Sequence, residues 1–106
     1  MTIAVAGPYS AETPEQRQKN SDAMNIAAAQ LLEKGHIPII GINAALPVVE
    51  KTDKVDRYKA IMDISLAVVD TCEALLLLAE SPGANRERDL VLSKGLPVYY
   101  DINDVP

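Results

Sequence analysis

Four short apolar segments alternate with longer segments of helical periodicity along this 106-residue sequence. The apolar segments predict strands at Thr2–Ala6, His36–Ile40, Ala74–Ala79 and Pro97–Tyr100. Strands that alternate with helices form a parallel sheet with right-handed crossovers, because each helix carries the chain back across the sheet. We therefore predict an α/β protein, and the chain length fits a single domain over residues 1–106.

Capping residues mark where the predicted helices begin and end. Thr13 and Ser81 each precede a proline, the arrangement expected of an N-cap followed by proline at the first helical position. Gly35 and Gly95 each follow a lysine and are suited to end a helix. A further helix is indicated by apolar residues at helical spacing, namely Val55, Tyr58, Ile61, Met62, Leu66 and Val69.

Two segments outside these elements are predicted to be irregular. Residues 41–52 are expected to form a loop, with at most a short helical turn around Ala44–Leu46, and Asp101–Pro106 is expected to be a tail.

The positions of the prolines predict the order of the strands. Pro38 lies inside the second strand and Pro97 begins the fourth, whereas the first and third strands contain no proline. Proline cannot donate to a sheet ladder and therefore prefers edge strands or strand starts. This favours the order 2-1-3-4 in a parallel sheet of four to five strands with helices on both faces, a flavodoxin-like three-layer sandwich.

This strand order predicts where a ligand binds. Ligands of such sheets bind outside the carboxyl ends of the strands, at the point where the strand order reverses. Here that point lies between strands one and three, which the loops Gly7–Ser10 and Glu80–Glu87 follow. In the second loop, Ser81 is a predicted N-cap and Gly83 allows a close approach to the backbone. The helix N-terminus favours an anion.

Charge and composition exclude several classes of function. The formal net charge is −5 and lysine and arginine are not clustered, so we expect neither nucleic acid nor a membrane surface as partner. No apolar stretch reaches the roughly 18 residues of a membrane span, and no signal-peptide pattern precedes the first strand. We expect a cytoplasmic location.

Cysteine and histidine are too few for the common metal and triad sites. The single cysteine, Cys72, is expected to be a small core residue, and His36 is the only histidine. A metal site or a Ser-His-Asp triad would lack its parts, and no glycine-rich nucleotide fingerprint is present. We expect no metal and no cofactor.

Two carboxylates stand out as candidate catalytic groups. Glu87 falls about one and a half turns into the helix that Ser81 opens, and Asp63 interrupts an apolar helical face. Asp70 and Glu73, near the end of that same helix, are further candidate carboxylates. Each also has a simpler interpretation, since Ser81 can serve only as a cap and an isolated carboxylate is more often a solvated surface charge.

Three motifs in order resemble those of the nucleoside 2-deoxyribosyltransferase superfamily. They are Ala6-Gly7-Pro8-Tyr9 after the first strand, a helical Asp63 ahead of an apolar strand, and Ser81-x-Gly83-Ala84-x-x-Glu87. The chain is most similar to the short bacterial and phage branch and to the deoxynucleoside 5′-monophosphate N-glycosidases. The resemblance covers nearly the whole chain in order and spacing, whereas each motif alone is weak.

The resemblance implies a role for each matching residue. Glu87 corresponds to the nucleophile that attacks the anomeric carbon, and Asp63 to its acid–base or orienting partner. The remaining matches are substrate-binding positions, namely Gly7, Pro8, Tyr9, Ser81, Gly83 and Ala84. Among them, Ser81 and Gly83 match positions beside a 5′-phosphate, and Gly7 and Pro8 match the loop beneath the sugar and base. The two carboxylates would then lie within roughly 5–6 Å of each other.

The implied function is cleavage or transfer at the N-glycosidic bond of a nucleoside or its 5′-monophosphate. A nucleotide-binding or regulatory module without turnover, and an interaction domain without a small ligand, are the alternatives. Asn85 and Arg86 differ from the smaller or aromatic residues of the nucleotide-cleaving relatives, which leaves the substrate open. We also expect a homodimer or larger assembly through the helix that carries Tyr58, Met62 and Leu66.

Overall fold

The computed structural model describes residues 1–106 and contains one parallel sheet of four strands. The strands are β1 (Thr2–Ala6), β2 (Ile37–Ile39), β3 (Ala74–Leu77) and β4 (Val98–Tyr99). Their order is β2-β1-β3-β4, and every neighbouring pair is parallel. The predicted order is confirmed, and Pro38 lies in an edge strand where its missing N–H group costs little.

Four helices cover the two faces of the sheet: α1 (Pro14–Glu33), α2 (Gly41–Val49), α3 (Arg57–Val69) and α4 (Pro82–Ser93). Alternate residues of β1 point to opposite faces, so Ile3 and Val5 pack with α1 whereas Ala4 and Ala6 pack with α3 and α4. The helix α2 packs against α3. This is the predicted three-layer arrangement.

The helix ends follow the capping residues in the sequence. The Thr13 hydroxyl accepts a hydrogen bond from the Gln16 N–H group at 3.1 Å, and the Ser81 hydroxyl accepts one from the Ala84 N–H group at 3.1 Å. Gly35 and Gly95 follow the C-caps of α1 and α4 with φ of 94° and 72°. Side chains rarely adopt this left-handed conformation, which explains why glycine ends both helices.

The prediction of a loop at residues 41–52 was wrong, because residues 41–49 form the helix α2. Pro47 lies inside this helix, where proline removes a backbone hydrogen bond and lowers helix propensity. Packing offsets that cost, since Ala45 and Val49 are buried. Gly41 allows the close approach: a Cβ atom there would lie only 3.1 Å from the Ser65 Cα.

The prediction of a free tail at residues 101–106 was also wrong. Ile102–Asp104 form a turn of 3₁₀ helix, and the side chain of Val105 is buried in the core that α1 covers. The Lys34 ammonium donates to the carbonyl groups of Ile102 and Val105 at 2.9 and 2.6 Å. The last residues therefore close the α1 side of the sheet.

The face of α3 that was expected to mediate self-association is mostly covered within the chain. Met62 is buried, whereas Tyr58 is half exposed. Self-association stays a prediction, with Tyr58 and the neighbouring exposed Val55 as the available apolar surface. None of the helices is both long and apolar enough to cross a membrane.

Candidate functional site

A cleft of about 700 Å³ opens at the carboxyl ends of β1 and β3. Ala6 pairs with Leu77 in the sheet, so the segments that follow the two strands start side by side. The cleft lies between the loop after β1, the first turns of α4 and one face of α3. This is the point where the strand order reverses.

Seven of the eight residues that the sequence predicted for the site line this cleft. They are Gly7, Pro8, Tyr9, Ser81, Gly83, Ala84 and Glu87. The eighth, Asp63, does not line it.

The loop after β1 is held in place by side chains of α1. The Asn20 amide donates to the Tyr9 carbonyl at 3.0 Å, and the Arg17 guanidinium donates to the Ala11 carbonyl at 2.8 Å. Arg17 itself lines the cleft and has no carboxylate partner. The loop thus presents a fixed backbone, and Arg17 adds a positive charge to one wall.

The N-terminus of α4 forms a small polar corner of the cleft. Pro82 has no N–H group, and the Ala84 N–H group is taken by the Ser81 hydroxyl. The Gly83 N–H group donates to no other group of the chain, and the Ser81 hydroxyl hydrogen is free. An anion would therefore meet two donors and the helix dipole.

Glu87 is a buried carboxyl without a partner. Only 7% of the residue is exposed, and no hydrogen bond or salt bridge to the chain involves its carboxyl group. It lies on the same inward face of α4 as Ala84 and Val91. Burial raises the pKa of Glu87 from 4.5 to about 7, since the charged form loses its hydration.

Asp63 lies outside the cleft, so the expected pairing of two carboxylates is not present. Its side chain is 59% exposed and contacts the Lys59 ammonium at 2.7 Å. The inward face of α3 carries Met62, Ser65 and Val69. Since successive helical residues differ by about 100°, Asp63 is turned away from that face.

Neither of the further candidate carboxylates, Asp70 and Glu73, lines the cleft. The Glu73 carboxylate accepts a hydrogen bond from the Thr2 N–H group at 2.9 Å, at the start of β1. The Asp70 carboxylate contacts the Lys94 ammonium at 3.1 Å, where α3 and α4 end. Both residues therefore lie at the amino ends of the strands, across the sheet from the cleft.

Sequence reasoning missed several residues that line the cleft. Tyr58 and Met62 were assigned to an association face and Ile61 to the apolar face of the same helix, and all three line the cleft. Arg17, Glu50, Arg57 and Ser65 carried no sequence signal. No group of three or more His, Cys, Asp and Glu side chains is arranged to hold a metal ion.

Stability should depend on pH through Glu87. The pKa is raised in the folded protein, so the folded state holds this proton more tightly than the unfolded state does. Its contribution to the free energy of unfolding is therefore full below pH 4.5, falls as the pH rises to about 7, and is constant above. The rise of the pKa from 4.5 to about 7 corresponds to a loss of roughly 3 kcal/mol in the free energy of unfolding across this pH range.

Glu87→Gln removes this dependence, because glutamine does not titrate. We expect the variant to gain roughly 3 kcal/mol relative to the wild type between pH 4.5 and 7.5 in urea unfolding. Glu33→Gln, at the exposed end of α1, is the control and should follow the wild-type curve. Parallel curves for Glu87→Gln and the wild type would contradict burial of an unpartnered carboxyl.

The comparisons with known proteins identify a family. The family model described as a domain of unknown function, DUF4406, matches residues 1–100. The chain therefore belongs to this family. The search of curated proteins finds no match.

Proposed function

We propose that this member of the DUF4406 family cleaves or transfers at the N-glycosidic bond of a nucleoside or deoxynucleoside or its 5′-monophosphate, with Glu87 as the nucleophile. The observation that carries the proposal is the Glu87 carboxyl, buried and unpartnered in a cleft at the switch point of the sheet. Burying a carboxyl without a partner is unfavourable, and such sites are often functional.

The chemistry needs a carboxylate that can reach the anomeric carbon. A Glu87 oxygen forms a bond to that carbon while the carbon–nitrogen bond breaks, and the base leaves with the electron pair and takes up a proton. Attack by water on the glycosyl ester completes hydrolysis, and attack by a second base completes transfer. Either step releases the Glu87 carboxylate. A pKa of about 7 leaves part of Glu87 ionised at neutral pH.

The proton for the departing base needs a source other than Asp63. Retaining glycosidases use two carboxyl groups about 5–5.5 Å apart, and this cleft holds only one buried carboxyl. The other groups of the cleft that can exchange a proton are Tyr9, Glu50 and Tyr58. Tyr9 is partly buried in the loop after β1, whereas Glu50 and Tyr58 lie exposed at the rim.

The size and polarity of the cleft fit a nucleotide. A volume of about 700 Å³ lies within the roughly 300–1,000 Å³ of small-molecule sites. The Ser81 hydroxyl and the Gly83 N–H group at the start of α4 suit a 5′-phosphate.

The presence of a single buried carboxyl in the cleft favours one alternative, a nucleotide-binding module without turnover. Such a module would bind the same ligands and release no base. Incubation with a panel of nucleosides, deoxynucleosides and their 5′-monophosphates, followed by chromatography for free base, separates the two functions.

Loss of the Glu87 carboxyl should abolish turnover. We expect Glu87→Ala and Glu87→Gln to lower the rate of base release by roughly 10⁴-fold or more, as for other nucleophile deletions. Glu87→Gln should still bind the substrate, because it keeps the shape of the side chain. Base release and calorimetric binding are measured on the same samples.

Asp63→Asn is the matched control, since it removes a carboxylate outside the cleft. We expect base release within about twofold of the wild type. Wild-type turnover by Glu87→Ala would rule out the nucleophile assignment.

The polar corner at α4 should make 5′-monophosphates bind more tightly than nucleosides. Hydrogen bonds to a charged group contribute about 1.5–3 kcal/mol, so we expect a preference of roughly 10-fold or more. Ser81→Ala should shrink this preference. Ser81→Asp should remove or reverse it, because aspartate still caps α4 while its charge repels the phosphate.

Thr13→Asp makes a similar change at the N-cap of α1, outside the cleft, and should leave both affinities unchanged. Equal calorimetric affinities of the wild type for a monophosphate and its nucleoside would contradict the phosphate assignment.

A further inference from the structure

Ser65 carries a buried hydroxyl that has no hydrogen-bond partner. Its Oγ atom is the one completely buried side-chain nitrogen or oxygen atom of the chain without a partner, and the residue is 1% exposed. A serine within a helix often returns its hydroxyl to the carbonyl group four residues earlier. Ser65 does not, although leaving a buried hydroxyl unsatisfied costs free energy.

Packing explains why the residue at position 65 is small but not why it is polar. The helix α2 approaches α3 so closely that a Cβ atom on Gly41 would lie 3.1 Å from the Cα and Cβ atoms of Ser65. Alanine would fit this contact equally well and would leave no hydroxyl unsatisfied. The presence of a hydroxyl at this position therefore indicates a partner that the chain itself does not supply.

Ser65 lines the same cleft as Glu87. Met62 of α3 meets Gly83 of α4, where a Cβ atom would lie 3.1 Å from the Met62 Sδ atom. Ser65 and Glu87 each follow this contact by one helical turn. Both helices run from the carboxyl to the amino ends of the strands, so one turn along each reaches about the same level.

The surroundings of these two polar groups are apolar. Val5, Ala6, Met24 and Met62 also line the cleft, and all four are buried. Ser65 and Glu87 do not hydrogen-bond to each other. A ligand that fills this space therefore leaves both groups unpaired unless it offers polar atoms of its own.

We propose that Ser65 contacts the substrate and sets its sugar specificity, with its hydroxyl hydrogen-bonded to a hydroxyl group of the sugar ring. This inference rests on the proposed function, because a nucleophilic Glu87 requires the sugar to lie at this depth. The base and the 5′-phosphate are then directed towards the loop after β1 and the start of α4.

The test is a double-mutant cycle. It combines removal of the Ser65 hydroxyl from the protein with removal of individual sugar hydroxyls from the ligand. The probes are adenosine and cytidine 5′-monophosphates in ribo, 2′-deoxy, 3′-deoxy and 2′,3′-dideoxy forms. They are titrated calorimetrically into the Glu87→Gln protein, which prevents turnover, with and without Ser65→Ala. We expect Ser65→Ala to weaken binding of the forms that carry the contacted hydroxyl by roughly 2- to 10-fold. The forms that lack that hydroxyl should bind equally well with and without the substitution.

Ser93→Ala is the matched control. Ser93 is also a helical serine, but its hydroxyl donates to the Leu90 carbonyl at 2.6 Å and lies outside the cleft. This variant should leave every affinity unchanged. Ser65→Ala should also raise the melting temperature of the ligand-free protein, since it removes an unsatisfied buried hydroxyl.

Four results would overturn the inference. If Ser65→Ala weakened the binding of all sugar forms equally, or of none, Ser65 would not contact a sugar hydroxyl. The proposed function would still stand in that case, because the nucleotides bind. A lower melting temperature of ligand-free Ser65→Ala would show that the hydroxyl has a structural partner. Absence of binding by every probe, to the wild type as well, would overturn the proposed function and this inference with it.

Discussion

The burial of the Glu87 carboxyl without a partner is the constraint that organises this protein. Its raised pKa corresponds to roughly 3 kcal/mol at neutral pH, a large share of the 5–15 kcal/mol that typically stabilises a domain. A glutamine or an aliphatic residue at this position would avoid that cost. The chain instead keeps an ionisable group where it faces a cleft. Because no other group of the chain binds this carboxyl, it is available to interact with a ligand.

The fold determines where this group lies. Because β1 and β3 are neighbours in the sheet, the loop after β1 and the start of α4 meet at one point. The contact between Met62 and Gly83 brings α3 against α4, and the next turn of each helix places Ser65 and Glu87 in the same cleft. The Ser65 hydroxyl and the Glu87 carboxyl, neither of which has a partner in the chain, thus line one cleft. Under the proposed function, a substrate sugar contacts both groups.

Local signals in the sequence predicted most of the fold, whereas tertiary packing determined what they missed. Ser81 marks the start of α4 by a hydrogen bond three residues away, and such short-range chemistry can be predicted from a pattern. Pro47 argued against a helix that packing on α3 nevertheless stabilises. Asp63 was chosen through motif spacing, but the angular position of a residue on its helix depends on which face packs inward. Ser65 gave no signal, because only the assembled cleft shows that its hydroxyl has no partner.

A direct measurement of the Glu87 titration tests the central claim. Side-chain carboxyl resonances of glutamate, followed by carbon-13 NMR against pH and assigned through Glu87→Gln, report the pKa in the folded protein. The account predicts a midpoint near 7 for Glu87 in the ligand-free protein, and a change of that midpoint when a nucleotide fills the cleft. A midpoint near 4.5 would show a solvated carboxyl, and it would contradict both the burial of Glu87 and the role that rests on it.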